Sequence, residues 1–273
     1  VTAKISLRGV TKTFSVRAAN LGRSTEFTAV AGIDLDVREG EFLTLVGPSG
    51  CGKSTLLDLI AGLTRPASGR ILLDGEEITG PGLDRGVVFQ QYALFPWRTA
   101  RGNIEFGLEA KGAGRRERRE RAGEFLDLVG LTGFADRYPH ELSGGMRQRV
   151  AIARSLAFDP EVLLMDEPFA ALDAQTRESL QEELLGIWER TGKTVVFITH
   201  GIDEAVYLGQ RVAIMTSRPG RIKEIVDIGF DSREGDLRAD PRFGQYRHHI
   251  WTRLRDEVAA AQANEREAVG TGG

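Results

Sequence analysis

The stretch Gly47-Pro48-Ser49-Gly50-Cys51-Gly52-Lys53-Ser54-Thr55 decides the fold, because its G-x-x-x-x-G-K-S spacing sits between two apolar runs. Phe42-Leu43-Thr44-Leu45-Val46 precedes it and Leu56-Leu57-Asp58-Leu59-Ile60-Ala61 follows. That is the strand–loop–helix order a phosphate-binding loop requires. Glycines let the backbone turn tightly enough for successive N–H groups to face one anion. A helix starting near Gly52 aims the positive end of its dipole at the same point. In such a loop Lys53 reaches the β- and γ-phosphates, and the Ser54 hydroxyl ligates Mg²⁺. Glycine-rich turns also join strands to helices for purely structural reasons, but the full spacing with both flanks favours a nucleotide site.

The 273 residues leave room for one large α/β domain or two small ones. With 41% hydrophobic and 27% charged residues, the composition is that of a soluble globular chain with a core. A net charge of −3 gives no support to a nucleic-acid partner, which favours a basic domain or stripe. No apolar run reaches membrane-spanning length and no charged-then-apolar leader opens the chain, so work at a membrane is expected to run through partner subunits. Cys51 is the single cysteine, which excludes an intrachain disulfide and points to a reducing compartment. Its place near a helix N-terminus predicts a lowered thiol pKa and a nucleotide site that alkylation blocks. The plainer reading, that the loop needs a small residue there, is favoured.

Upstream of the loop, Ile5 and Leu7 alternate with polar residues, as do Ile33, Leu35 and Val37. Both stretches read as strands, and Arg38-Glu39-Gly40-Glu41 turns the second into Phe42–Val46. Residues 15–26 are polar without periodicity and read as a loop. Phe14 before it, or Phe27 after it, offers a ring on which adenine can stack; Phe14 can equally close a sheet edge. Ile71-Leu72-Leu73 leads into Asp74-Gly75, a hairpin signal. Val87-Val88-Phe89 reads as a buried strand that delivers Gln90 to the mouth of an open α/β sheet, where its amide can ligate Mg²⁺ and position water. Tyr92-Ala93-Leu94-Phe95-Pro96-Trp97 is either a buried loop or a docking surface.

Residues 98–158 look helical, with a densely charged run at 115–121 that reads as a solvated face. Within them Ser143 is a good N-cap ahead of Gly144 and Gly145, which makes a second anion-binding helix start. Val162-Leu163-Leu164-Met165-Asp166-Glu167 reads as a buried parallel strand ending in two acids. Asp166 can hold Mg²⁺ through its water shell, and Glu167 can polarise a water for in-line attack on a γ-phosphate. Ala170-Ala171-Leu172-Asp173 turns into a helix over 175–190, and a further buried strand, 194–198, ends at Thr199-His200. His200 can hydrogen-bond the γ-phosphate. Ser217-Arg218-Pro219-Gly220 reads as a hairpin, and residues 231–240 as an acidic loop. The last helix carries Phe243, Tyr246, Ile250, Leu254 and Val258 on one stripe. His248 and His249, adjacent on that helix, read as surface or packing residues rather than metal ligands.

Together these motifs resemble the ATP-binding cassette (ABC) ATPases, over roughly residues 3–228. Gly47–Thr55 is similar to that family's phosphate loop and Gln90 to its glutamine loop. Leu142–Gln148 looks like its signature motif, with methionine at 146 where many members carry glutamine. Val162–Glu167 resembles the magnesium strand with its catalytic glutamate, Ala170–Asp173 the loop that crosses the dimer seam, and His200 the switch histidine. Phe14 falls at the adenine-stacking position. Gly201 departs from the pattern, since many members have aspartate after the histidine.

The resemblance implies an α/β P-loop NTPase of ABC type. An N-terminal antiparallel β subdomain, a central mostly parallel sheet with helices, and an inserted α-helical signature subdomain over about 98–158 are expected. Residues 3–228 form the expected ATPase domain, 229–262 a C-terminal helical extension and 263–273 a disordered tail. ATP and Mg²⁺ are the implied cofactors. Lys53, Gln90, Glu167 and His200 are then catalytic. Phe14, Gly47, Pro48, Ser49, Gly50, Cys51, Gly52, Lys53, Ser54, Thr55, Gln90, Ser143, Gly144, Gly145, Asp166, Asp173 and His200 contact the nucleotide, and Ser54, Gln90 and Asp166 the metal. Two chains associate head to tail, each ATP lying between the phosphate loop of one and Ser143–Gly145 of the other, which accounts for two anion-binding helix starts in one chain.

Leu94–Thr99, Ile187–Glu189, Ile202–Ala205, Ser217–Ile222 and Ile250–Arg255 look like the nitrate, sulfonate and taurine importer branch. That implies a permease docking near Tyr92, Phe95, Pro96 and Trp97, an indirect link to a substrate-binding protein, and a place on the cytoplasmic face of the cell membrane. A soluble cassette ATPase acting on DNA or ribosomes is the alternative; its tandem cassettes or long coiled coils have no counterpart here. A degenerate cassette that binds ATP without turnover is disfavoured by Glu167 and His200.

Overall fold

The computed structural model describes residues 3–17, 24–230, 233, 235 and 237–270. Its elements in chain order are β1 (Ala3–Arg17), β2 (Ser24–Arg38), β3 (Phe42–Val46), α1 (Lys53–Ile60), β4 (Ser68–Leu73), β5 (Glu76–Glu77) and β6 (Arg85–Val88). They continue with α2 (Ala100–Ala110), α3 (Arg115–Leu128), α4 (Gly144–Ala157), β7 (Val162–Asp166), α5 (Ala174–Thr191) and β8 (Thr194–Ile198). Last come α6 (Ile202–Leu208), β9 (Arg211–Met215), β10 (Ile222–Asp227) and α7 (Pro241–Gly270). Two compact units share them: Val1–Pro81 with Ile198–Gly273, and Gly82–Phe197.

In the first unit the period-2 alternation becomes an antiparallel sheet of order β2-β1-β4-β5. Ile5 pairs with Val37, Leu7 with Leu35 and Val10 with Ile33, and all six are buried, so one face of the ribbon is core. The same ladder continues where a loop was expected. Ser15–Arg17 and Ser24–Glu26 are strand, with Ser15 opposite Glu26, while residues 18–23 lie outside the described residues. The sequence of this ribbon end, in which Val16 is the one apolar residue, carries no alternation to read, although its backbone pairs with its neighbour. Asp74 and Gly75 adopt φ of 50° and 83°, the left-handed pair that a two-residue hairpin between β4 and β5 needs.

The unit's other strands run β10-β9-β3, with β3 and β9 parallel and β9 and β10 antiparallel. Every residue of β3 is buried, and side chains such as Phe42, Leu43 and Leu45 each contribute roughly 2 kcal/mol of apolar burial. Where β3 begins, Glu41 and Arg211 form a buried pair. Arg211 Nε donates to Glu41 Oε1, while Nη2 donates to Glu41 Oε2 at 2.7 Å and to the Asp36 carbonyl at 2.6 Å. Hydrogen bonding to Glu41 raises the Arg211 pKa despite burial.

Helix α7 buries Phe243 and Ile250, with Tyr246 and Leu254 half-buried, but Val258 at the end of the expected stripe is exposed. The helix also runs on to Gly270, past 263, where a tail without structure was expected. Its alanines and glutamates are strong helix formers even without a core to face. Residues 271–273 lie outside the described residues.

The second unit places β8-β7-β6 in that order, with Arg85 opposite Val162 and Val88 opposite Met165 in parallel. β6 stops at Val88; Phe89, expected inside the buried strand, follows it and is exposed. The charged run 115–121 opens α3, whose inward face is supplied by Ala122 and Leu126. Replacing Glu41 by alanine leaves Arg211 charged and buried, so urea denaturation should show a loss of about 3 kcal/mol in unfolding free energy. A loss under about 1 kcal/mol would show that the pair is not what braces the start of β3.

Candidate nucleotide site

In the first unit, β3 hands the chain to Gly47–Gly52 and α1 begins at Lys53. Lys53 is buried, and its Nζ turns back across the loop to donate to the carbonyls of Gly47 at 2.8 Å and Pro48 at 3.0 Å. The helix is N-capped by Gly52 with φ 104° and without a side-chain acceptor, so no side chain competes with a ligand for its first-turn N–H groups. Only glycine fits there: a Cβ would meet Val30 Cγ1 at 2.7 Å and the Ala29 carbonyl at 2.9 Å. Ser54 is exposed and Thr55 half-buried at this helix start.

At Cys51 the less favoured of the two sequence readings, a lowered thiol pKa, does not hold. The residue is buried, and burial pushes its thiol pKa up in spite of Lys53 and nearby backbone donors.

Phe14 and Phe27 are register partners on β1 and β2, stacked with centroids 5.9 Å apart. The two candidates for base stacking thus stand together. Lys12 Nζ lies 5.1 Å from the Phe14 centroid, and the Arg218 guanidinium 4.5 Å from that of Phe27. His200 is exposed just after β8. Gly201 follows as N-cap of α6 without a side-chain cap, and Thr199 Oγ1 accepts the Gly201 N–H at 2.9 Å.

In the second unit, Gln90 is exposed beyond β6 and opens into an irregular turn. Tyr92 and Ala93 have φ of 57° and 46°, a left-handed pair without glycine. Arg154 of α4 holds this turn, donating Nη1 to the Ala93 carbonyl at 2.6 Å and Nη2 to the Tyr92 carbonyl at 3.2 Å. Arg147 lies over the Tyr92 ring at 5.4 Å. Further along, Phe95 packs against Phe106 and Trp97, with centroids 4.5 and 5.5 Å away. Asn103, fully buried in α2, accepts the Phe95 N–H and donates to the carbonyls of Phe95, Arg98 and Thr99. Pro96 and Trp97 stand out of this anchored frame, Trp97 with 70% of its surface exposed. None of residues 92–97 is fully buried, so the segment is not a buried loop in this chain.

Ser143 caps α4 by accepting the Met146 N–H at 3.3 Å, with Gly144 and Gly145 half-buried in the first turn. Asp166 ends β7. Glu167 follows with φ 46° directly before Pro168, a left-handed backbone at a position that proline pushes toward extended conformations. Such a residue costs on the order of 1–3 kcal/mol and persists only where its surroundings impose it. Asp173 caps α5, accepting the Thr176 N–H at 3.0 Å, and these donors hold its carboxyl below the ordinary aspartate range.

Within the first unit, Ser54 at the start of α1 offers a hard oxygen of the kind a magnesium nucleotide takes; within the second, Gln90 and Asp166 each offer another. Among the described residues no group of three or more His, Cys, Asp or Glu forms a cation cage. A Mg²⁺ that keeps waters and shares phosphate oxygens needs no such cage. Sequence reasoning missed Arg154, Asn103 and Arg218. A polar residue on an otherwise apolar helix face marks the first two, whereas Arg218 lies in a stretch read only as a hairpin and a branch motif, with no sign of its contact to Gly50.

The model of the ABC transporter family matches residues 30–170. An uncharacterized ABC transporter ATP-binding protein of Methanocaldococcus jannaschii is 58% identical over 89% of this chain and 92% of its own length. The nitrate import ATP-binding protein NrtD of Synechocystis is 48% identical over 91% of this chain and 95% of its own. Among solved structures, an ATP-binding cassette in a dimeric post-hydrolysis state with ADP and Pi superposes with a TM-score of 0.71 at 37% identity, covering 83% of this chain and all of that one. The fold, the phosphate loop and these similarities agree: the chain belongs to the ABC transporter family, as one of its ATP-hydrolysing cassettes.

Proposed function

We propose that this cassette powers an importer of a small anion or organosulfur or nitrogen compound, of the nitrate, taurine or alkanesulfonate type. Two copies sandwich two MgATP head to tail and drive an associated permease. The observation that carries the reading is a pair of helix starts suited to anions in one chain. One is α1, free of any side-chain cap above Lys53, and the other is α4, opening at Ser143-Gly144-Gly145. One nucleotide needs one such cradle from each chain of a dimer, and the similar solved cassette is dimeric with ADP and Pi. The nitrate-import relative and the motifs at 94–99 and 217–222 support the branch.

In this reading Lys53 places its charge against the β- and γ-phosphates, the N–H groups of Gly47–Thr55 surround them, and Phe14 stacks on the base with Phe27 beside it. Ser54, Gln90 and Asp166 hold Mg²⁺, which when bound neutralises charge between the two phosphates. Glu167, at a left-handed position directly after β7, takes the proton of the attacking water. His200 hydrogen-bonds the γ-phosphate, and Asp173 meets the partner cassette across the seam. The protruding Phe95-Pro96-Trp97 segment, with Tyr92 at its base, receives the permease, which in turn meets a substrate-binding protein. No described helix is long and apolar enough to cross a membrane. In this reading the permease supplies the place at the cytoplasmic face.

Glu167→Gln should keep ATP binding, lose at least about a hundredfold in turnover, and accumulate as a nucleotide-bound dimer in light scattering. A monomer at saturating MgATP would count against the sandwich. Trp97→Ala should impair uptake by the reconstituted complex while the isolated cassette hydrolyses ATP as before. Equal loss of both activities would refute docking at that segment.

A further inference from the structure

The segment Ser217-Arg218-Pro219-Gly220 between β9 and β10 has no part in the chemistry above, yet it is braced from two sides. Toward the phosphate loop, Arg218 Nε and Nη2 donate to the Gly50 carbonyl at 3.2 and 2.9 Å, and the same guanidinium covers Phe27. Gly220 approaches so closely that a Cβ there would lie 2.1 Å from the Cys51 carbonyl oxygen. The Gly220 N–H donates to Ala29 O at 2.9 Å, and the Ala31 N–H to Gly220 O at the same distance. Away from the loop, Glu257 of α7 accepts the Ser217 N–H at 2.8 Å and the Lys223 ammonium at 2.7 Å. Burial disfavours the ionised Glu257 carboxyl, but these two donors outweigh it and hold its pKa below the ordinary range.

A planar peptide points its C=O and N–H in opposite directions, so fixing Gly50 O also fixes the direction of the Cys51 N–H. Gly50 has φ 71°, and a glycine turn is where a peptide flips at least cost. The Cys51 N–H donates to the Pro48 carbonyl at 3.3 Å, and a flip would break that bond and reshape the loop. The charged donor on Gly50 O opposes it, and charge-assisted hydrogen bonds are the strong ones.

We propose that Arg218 and Glu257 are positioning residues for ATP. Helix α7, through Glu257 and the 217–220 segment, holds Arg218 on Gly50 and Phe27, and so sets the loop and the ring that the nucleotide meets. The inference rests on Gly47–Thr55 binding ATP.

The test uses the purified full chain, with ATP hydrolysis and binding of a fluorescent ATP analogue measured first on wild type. Arg218→Ala should raise the KM for ATP about tenfold with kcat little changed, as expected for a lost charge-assisted contact. Arg218→Lys keeps the charge without the fork and should give about a threefold rise. Glu257→Ala should raise KM about threefold, and Glu257→Gln, which keeps an acceptor, less. Arg255→Ala, on the exposed side of α7, should match wild type.

Cys51 supplies a readout independent of turnover. Its buried thiol should react slowly with iodoacetamide in wild type, and faster in Arg218→Ala and Glu257→Ala as the loop loosens. An unshifted KM and alkylation rate in Arg218→Ala would overturn the proposal, as would a Glu257→Ala variant identical to wild type. An equal shift in Arg255→Ala would also overturn it. If an alanine variant fails to fold, Arg218→Lys and Glu257→Gln decide by the same measures. Wild type that neither binds nor hydrolyses ATP would instead refute the nucleotide reading, and the relay with it.

Discussion

A cation turned back onto backbone carbonyls is the contact on which the irregular parts of this molecule depend. Irregular turns have carbonyls that no sheet or helix ladder reaches, and backbone oxygens need partners. Lys53 supplies them for Gly47 and Pro48, Arg218 for Gly50, and Arg154 for Tyr92 and Ala93. Arg177 does the same for Phe169 and Leu172 in the turn after Glu167. A long, flexible, charged side chain can span a turn and bond two oxygens whose directions diverge. Each of these turns carries a residue assigned to nucleotide or permease. Cations also bond carbonyls of regular elements, as Arg211 does at Asp36 of β2, but in these turns they bond oxygens outside helix and strand.

The first unit is arranged so that this bracing stays rigid. β3 is buried along its whole length and its parallel neighbour β9 is buried too, so the point where the loop starts is fixed by packing on both faces. On the far side Gly52 sits against Ala29 and Val30 with no room for a side chain. The antiparallel ribbon therefore contributes more than a base-stacking ring. Through Ala29–Ala31 it also touches the helix start and the 217–220 segment.

Much of this was legible in the sequence where a residue's role comes from its own chemistry or its spacing. The phosphate loop, the Ser143 cap, the buried strand ending at Asp166 and the Asp74-Gly75 hairpin follow from local rules and appear at their expected positions. What was not legible depends on distant partners. The polar ribbon end at 15–17 and 24–26 pairs without a hydrophobic signature. Phe89 falls just beyond its strand, because an apolar run does not mark its last residue. Cys51 lies near a helix N-terminus, which lowers a thiol pKa in the open, but here burial is the larger effect. Arg218 reaches across 168 residues of sequence to Gly50, a separation no local pattern encodes. The roles of the nucleotide-contacting residues were likewise read from motif and spacing, and the structure adds their local geometry within each unit.

Glu167 combines a left-handed backbone with a following proline, so its conformation is stored energy in the resting protein. At such a position glycine or asparagine fits the backbone better than glutamate does. Selection for stability alone would drift toward those residues and away from a carboxylate. If Glu167 has the proposed role, stability and turnover pull in opposite directions at this one position. A screen for heat-resistant variants would then enrich for proteins that fold well and no longer hydrolyse ATP, and thermostabilisation should hold residue 167 fixed.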